Sequence, residues 1–269
     1  MPSLVSKQEN LTTAGTRYAR DGFFIGPPVV PSELVRRVIP HIDAVLEGKY
    51  ETGREPVRRW NPGDSPTKIR KINDTHISDR TIFEFVTHPE IGRWAAAVTG
   101  AEMVQAWASQ LLFKPAGGDI AGQVGWHQDY MYWKELWEPG GELFTAWVAV
   151  SDVKAESGPM CFVRGSHRWG FLNSGDFFNS DRDRTRDEIQ VPSGETWSEV
   201  PAVLPPGALS FHQCLTYHAS GRNISQSPRI SFALHLRTEK SKPVAGCRDH
   251  YITNLEDPQV APVIYRAAG

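Results

Sequence analysis

The chain has 269 residues and a mass of 30.1 kDa, with 40% hydrophobic and 22% charged residues. That is enough apolar material for a core and excludes a disordered or collagen-like chain. Lys and Arg number 29 against 31 Asp and Glu, a net charge of −2, so no basic excess marks nucleic acid as a partner.

No apolar run approaches the ~18 residues of a membrane span. The first ten residues, Met1 to Asn10, lack the apolar stretch of a secretion signal. Three scattered cysteines (Cys161, Cys214, Cys247) form no disulfide framework. One domain in a reducing cytoplasm is the expectation, with no membrane partner.

Residues 1–100 are expected to be mainly helical. Leu34, Val38, Ile39, Ile42 and Val45 recur at helical spacing behind Pro31-Ser32-Glu33, with Ser32 as a candidate cap. Pro40 falls inside this pattern and is expected to kink or split the helix. A second helix is expected from Thr81, and a third from Pro89 to a stop at Gly100. Between them, residues 53–71 hold Arg54, Arg58, Arg59, Lys68, Arg70 and Lys71 against Glu55 and Asp64, net +4. That segment reads either as a solvated connection or as a basic lid for an anionic substrate.

From residue 101 the pattern changes to strands: 103–114, 144–152, 159–163, 208–214 and 230–237 are rich in β-formers, with Gly/Pro turns between them. This texture predicts a sandwich or jelly-roll core over 101–240. A polar stretch at 172–200 reads as a mobile surface insertion, and 241–269 as a C-terminal extension. No repeat of 20–50 residues is visible.

The strongest local signal is Trp126-His127-Gln128-Asp129. On a strand, alternate side chains share a face, so His127 and Asp129 would point inward and Gln128 outward. A distant histidine would complete a facial set of two imidazoles and one carboxylate, the donor set of non-haem Fe(II) with open positions for oxygen chemistry. A structural zinc site would be closed by four ligands. Spacing alone does not select the second histidine among nine, and His212 is the nearest rival to His218. Arg229, eleven residues after His218, opens a strand-like run. A buried guanidinium there needs an anion, either a bound organic acid or a nearby Asp.

These residues resemble the phytanoyl-CoA dioxygenase family of Fe(II)- and 2-oxoglutarate-dependent oxygenases. The likeness runs in order over about residues 15–240. It takes in Asp21-Gly22-Phe23-Phe24, Leu112-Phe113-Lys114-Pro115, the His127/Asp129 motif, Ala146-Trp147-Val148-Ala149, Ser157-Gly158-Pro159-Met160, Gly165-Ser166-His167, Pro206-Gly207, and His218 to Arg229. The family usually has Asn-Gly where Ser157-Gly158 stands, and Pro-Gly-Ser-His where Arg164-Gly165-Ser166-His167 stands.

The resemblance implies a mainly β double-stranded β-helix with flanking helices. It implies Fe(II) on His127, Asp129 and His218, and 2-oxoglutarate held by Arg229 with Ser220; Lys114 and Trp147 are further candidates for that pocket. Asp129 implies a hydroxylase type rather than a halogenase. The implied reaction uses O₂, releases succinate and CO₂, and hydroxylates a small or medium organic substrate. Tyr132 and Trp133, just after the metal motif, are candidates to stack on that substrate. Ser166 and His167 are expected to form a turn, not a catalytic pair. Gly117, Gly118, Gly122 and Gly125 lack the pattern of a phosphate loop. The alternative function is a non-catalytic barrel that binds metal and 2-oxoglutarate. An acyl-CoA substrate would want a basic groove, for which only residues 53–71 offer material.

Overall fold

The computed structural model describes residues 7–57, 60 and 64–268. Residues 1–6, and Arg58 and Arg59 of the basic segment, lie outside the described residues. In chain order the elements are α1 (Lys7–Asp21), β1 (Phe23–Pro28), α2 (Ser32–Leu46), β2 (Arg70–Asn73), α3 (Arg80–Val86) and α4 (Pro89–Thr99). There follow β3 (Met103–Lys114), β4 (Val124–His127), α5 (Tyr130–Trp133), β5 (Leu143–Ala149), β6 (Met160–Val163) and α6 (Arg182–Asp187). The chain closes with β7 (Glu199–Pro201), β8 (Ala208–Gln213), β9 (His218–Ser220), β10 (Arg229–Thr238), α7 (His250–Thr253) and β11 (Val263–Arg266).

The helices form where their signals predict. Asp79 caps α3, accepting from the amides of Thr81 and Ile82. Pro89 opens α4 and Gly100, in the left-handed region at φ 67°, closes it. Pro40 does not split α2: the helix runs through it with Leu34, Val35, Val38, Ile42 and Val45 buried along one face. Burial of that stripe outweighs one missing backbone hydrogen bond. The first hundred residues also give two strands that were expected as connections, and both join the main sheet.

One sheet has the order β1-β8-β5-β10-β3-β11, with β2 also on β3; the second has the order β4-β9-β6-β7. Every pairing is antiparallel. This is the jelly-roll core with flanking helices. Strand β10 shows how it is built, because its side chains alternate between faces. Ile230, Phe232, Leu234 and Leu236 join the core shared with α2, α3 and α4, Phe85 of α3 packing 5.3 Å from Phe232. Arg229, Ala233 and His235 line a chamber between the sheets.

The turn after β2 carries a titratable group inside the fold. Asp74 sits at φ 55°, buried, and its carboxylate accepts the Ser109 amide at 2.8 Å. Burial pushes its pKa up from 3.8 to about 7. The folded state therefore holds a proton that the unfolded chain has released, and this contribution to stability fades as pH rises from about 4 to about 7. Asp74→Asn keeps the acceptor and tolerates the left-handed backbone. Its melting temperature relative to wild type is expected to climb between pH 4 and pH 8. A pH-independent difference in thermal melts would show that Asp74 is ionised throughout.

Candidate metal centre and cosubstrate chamber

His127 ends β4 and His218 opens β9, and the two are direct cross-strand partners. Their ring centroids lie 4.1 Å apart. Each ring is fixed by its Nδ1, which faces a backbone carbonyl two residues back: Gly125 at 2.8 Å for His127 and Thr216 at 2.9 Å for His218. A neutral ring that donates from Nδ1 keeps a lone pair on Nε2. Both Nε2 atoms face Asp129 Oδ1, at 3.7 and 3.5 Å. That spacing suits ligands around a shared ion. The three residues are buried and their donor atoms lie within 4.8 Å of one another.

Asp129 arrives by a route different from strand alternation. The strand stops at His127, and Asp129 has helical backbone angles (φ −57°, ψ −34°) at the start of α5. Gln128 is not turned to solvent. It is fully buried, donating to the carbonyls of Gly170 and Leu215 and accepting the Leu172 amide. This three-way brace turns the chain so that Asp129 swings back toward His127.

The carboxylate divides its work between its two oxygens. Oδ1 faces the ligand pair, while Oδ2 accepts from Thr145 Oγ1 at 2.9 Å and from His212 Nε2 at 3.2 Å. Burial alone would raise the Asp129 pKa, but His218, His127 and His212 around it hold the carboxyl well below its usual range. Burial lowers the pKa of His127, and lowers His212 to about 4, so both rings are neutral at physiological pH. His212, the rival in sequence, serves as an anchor of Asp129. Thr145, His212 and His235 form one rung across β8, β5 and β10. None of these three is marked by a local motif; only sheet register brings them together.

At the other end of the chamber, Arg229 and Lys114 are cross-strand partners on β10 and β3. Both are fully buried. Lys114 Nζ donates to Ser220 Oγ at 2.7 Å and to the Gly221 carbonyl. Among the described residues Arg229 donates to the Gly158 carbonyl alone and its Nε has no partner; its guanidinium lies 5.2 Å from the Trp147 ring. Gly158 has φ 63°, and a Cβ there would meet the Gly221 carbonyl at 2.4 Å, so the Ser157-Gly158 turn approaches Arg229 only with glycine. Burial depresses Arg229 to about 9, and burial with Arg229 nearby pushes Lys114 well down; no acidic group contributes to either shift. The Asp partner weighed for Arg229 is not there among the described residues. Two buried cations without a counter-charge fit an incoming dicarboxylate.

The polar stretch 172–200 lies largely at the surface, and a few apolar residues dock it on the barrel. Ile189 is buried in the cluster that holds Trp126, with Val191 and Trp197 against it. Buried Thr185 accepts the Trp126 amide. Gly175, at φ 98°, lies so close that a Cβ would meet the Trp126 carbonyl at 2.1 Å. The segment thereby sets Phe177 edge-on against His127 at 5.2 Å. Four apolar anchors in a charged background carried too little periodicity to reveal this.

A vestibule of about 370 Å³ adjoins the centre, reached through Asp129 and His235; Tyr132, Trp133 and Phe177 line it. Within the basic segment, Arg70 stacks on Trp60 and Phe113 and Lys71 lies 4.1 Å from Phe177, while Arg54 and Lys68 are exposed. Ser166 donates to the Val163 carbonyl of its own turn and accepts the amide of Tyr217, just before β9, while His167 meets the Ala19 carbonyl. They make no catalytic pair. A surface grouping of His41, Glu51 and Asp79 is satisfied by His41–Asp79 and Glu51–Arg80 contacts.

Donors gathered on one side of a buried point leave the other side free for a chelating acid and oxygen. This donor set fits ferrous iron in the class of 2-oxoglutarate-dependent oxygenases. Comparisons agree. The family model for phytanoyl-CoA dioxygenase (PhyH) matches residues 18–231, and the chain belongs to that family. Ectoine dioxygenase of Bordetella parapertussis is 26% identical over 227 residues, 80% of this chain and 71% of that protein. Peroxisomal phytanoyl-CoA dioxygenase of Homo sapiens is 27% identical over 244 residues, 87% of this chain and 68% of that protein. Among solved structures, the epimerase SnoN in complex with Fe3+, alpha ketoglutarate and nogalamycin RO aligns with a TM-score of 0.63. The identity is 22%, over 89% of this chain and 88% of that one, a likeness of fold. No helix among the described residues is long and apolar enough to cross a membrane.

The buried cations give a separable prediction. Lys114→Met removes an uncompensated charge, so the ligand-free protein is expected to melt at an equal or higher temperature. Its stabilisation by added 2-oxoglutarate, which for wild type reaches about 2.7 kcal/mol at 100-fold over Kd, should shrink sharply. Undiminished stabilisation in the variant would remove Lys114 from the dicarboxylate site.

Proposed function

We propose that the protein hydroxylates a small or medium-sized organic molecule at an Fe(II) centre held by His127, Asp129 and His218, with Arg229, Lys114, Ser220 and Trp147 holding 2-oxoglutarate. One observation carries this: a single chamber has an acceptor pole built from two lone-pair imidazoles and a carboxylate, and a donor pole built from Arg229, with Lys114 behind Ser220. Only a ligand that chelates a metal at one end and presents a carboxylate at the other satisfies both poles. When bound, the iron supplies oxygen activation driven by decarboxylation of the keto acid.

The chain's own groups keep that chemistry in register. The carbonyls of Gly125 and Thr216 hold both Nε2 lone pairs inward. Thr145 and His212 hold one Asp129 oxygen so that the other faces the ligands. Arg229 takes the distal carboxylate in its fork while Lys114 and Ser220 add donors beside it. Trp147 roofs the guanidinium and keeps water from it. No tyrosine or cysteine lines the inner chamber among the described residues, and the hydroxyl of Tyr132 in the adjoining vestibule is engaged with Asp176 and the Phe177 amide, which supports hydroxylation over a step that needs a hydrogen-atom donor. The names of the relatives point to ectoine and phytanoyl-CoA. For this chain the aromatic-capped Arg70 and Lys71 argue for a compact substrate over one needing a phosphate cradle.

His127→Ala and Asp129→Ala are expected to abolish Fe(II)-dependent succinate release, a loss of at least about 100-fold, while the barrel stays folded. Arg229→Ala should mainly raise the KM for 2-oxoglutarate. Anaerobic metal titration and a coupled succinate assay read both effects. Wild-type turnover that persists under rigorous chelation would refute the assignment. Metal and keto acid that stabilise the protein without any turnover would show a binding protein instead.

A further inference from the structure

His235 is the one histidine of the inner chamber that touches neither His127, Asp129 nor His218 by a hydrogen bond. It also lines the vestibule. Its role follows from counting protons. Thr145 Oγ1 has one hydrogen and gives it to Asp129 Oδ2. Towards His235 Nδ1, 3.1 Å away, the same hydroxyl must therefore accept. His235 carries its proton on Nδ1, and Nε2 is left as a bare acceptor. That Nε2 is buried and has no partner among the described residues. A buried acceptor without a donor is costly unless something completes it.

The surroundings say what that something looks like. Trp133 stands edge-on to the His235 ring at 4.7 Å, and Trp107 lies 5.4 Å away, tilted by 32°. Trp107 Nε1 is likewise buried without an acceptor. Tyr132, Phe177, Phe178 and Tyr251 complete an aromatic wall around the cavity of about 370 Å³. Aromatic faces in a cavity that also carries Lys71, Asn73, Gln110, Glu135 and Asp249 favour a ring with polar substituents, and one orphan acceptor near one orphan donor selects a hydrogen-bonding group on it.

We propose that His235 is a substrate-binding residue whose Nε2 accepts an O–H or N–H from a ring-bearing substrate. The donor group sits deep in the vestibule, beside Asp129, and this orients the ring edge toward the centre. The inference rests on Asp129 acting as the carboxylate of the metal set, since that fixes the direction of the Thr145 hydrogen bond. The substrate class is then a compact cyclic alcohol, phenol, amine or amide. A fully alkylated analogue of the same shape is excluded by an unpaired acceptor.

The test is binding, without iron or turnover, of two probes of matched shape to the full chain: 2-naphthol, which donates, and 2-methoxynaphthalene, which does not. Wild type is expected to prefer 2-naphthol about tenfold in equilibrium dialysis. His235→Asn, whose amide reaches the Nδ1 position and keeps the bond to Thr145, should bind both probes equally. His235→Gln, which places an oxygen near the Nε2 position, should restore the preference. Binding of neither probe to wild type, equal binding of both, or a preference that survives in the Asn variant overturns the proposal. Should the Asn variant not fold, the wild-type preference and its retention in the Gln variant decide the matter. Failure here with intact metal-dependent succinate release leaves the metal assignment standing. Loss of succinate release with the probe preference intact does the reverse.

Discussion

The barrel is organised around one ionised carboxylate taken out of water. Desolvating Asp129 costs several kcal/mol unless every lone pair finds a partner. The fold draws five groups from five strands: His212 and Thr145 donate to Oδ2, His235 stands behind Thr145, and His127 and His218 turn lone pairs towards Oδ1, which leaves that oxygen for a cation. Because burial holds His127, His212 and His235 neutral, the charge is stabilised by dipoles and never cancelled. A residual negative charge ringed by lone pairs is what a divalent cation requires. The same accounting, with opposite sign, holds at Arg229 and Lys114. Each pole alone would be a defect; together they specify one bifunctional ligand.

Register transmits this arrangement. Arg229 and His235 stand six residues apart on β10 and face the same way, so one strand carries both the cosubstrate cation and the proposed substrate acceptor. Across it, β3 supplies Lys114 and β5 supplies Thr145 and Trp147. A one-residue slip of β10 would turn Arg229 and His235 to the helix side and bring Ile230, Phe232 and Leu234 into the chamber. Phe85 and its neighbours on α3, packed against that apolar face, therefore guard the chemistry indirectly by making the slip expensive.

Much of the centre was legible in the sequence, and for identifiable reasons. His127 and Asp129 are close in the chain and chemically unusual together, and Arg229 is conspicuous at the head of an apolar strand. How Asp129 reaches the site was misread, because a strand and a strand-ending turn both bring i and i+2 near each other; only Gln128, buried with three hydrogen bonds, tells them apart. Thr145, His212 and His235 carry no local signal. Their meaning lies in sharing a rung across three strands, and one sequence does not encode register in any short pattern. In the segment 172–200 the docking, not the surface character, was illegible, for the opposite reason. Its charged run dominates the composition, while the residues that dock it, Phe177, Ile189, Val191 and Trp197, are isolated and follow no period.

That segment also explains how one fold can keep its chemistry while changing its substrate. The ligands and cations sit on strands and strand ends, where pairing fixes them to fractions of an ångström. The vestibule wall opposite comes from α5, the Gly175–Phe178 loop and α7, which lie outside the strand ladders and meet them through side chains and isolated backbone bonds such as Asp176 N–H to the Trp126 carbonyl. Tyr132 ties two of these together, its hydroxyl bonding Asp176 and the Phe177 amide at 3.1 and 2.8 Å. Changes in such loops cost little in sheet stability, so the wall is free to diverge. His235, fixed by β10, and Gln110, fixed by β3, line both the chamber and the vestibule, so strand register sets the border between the metal-binding geometry and the proposed recognition wall.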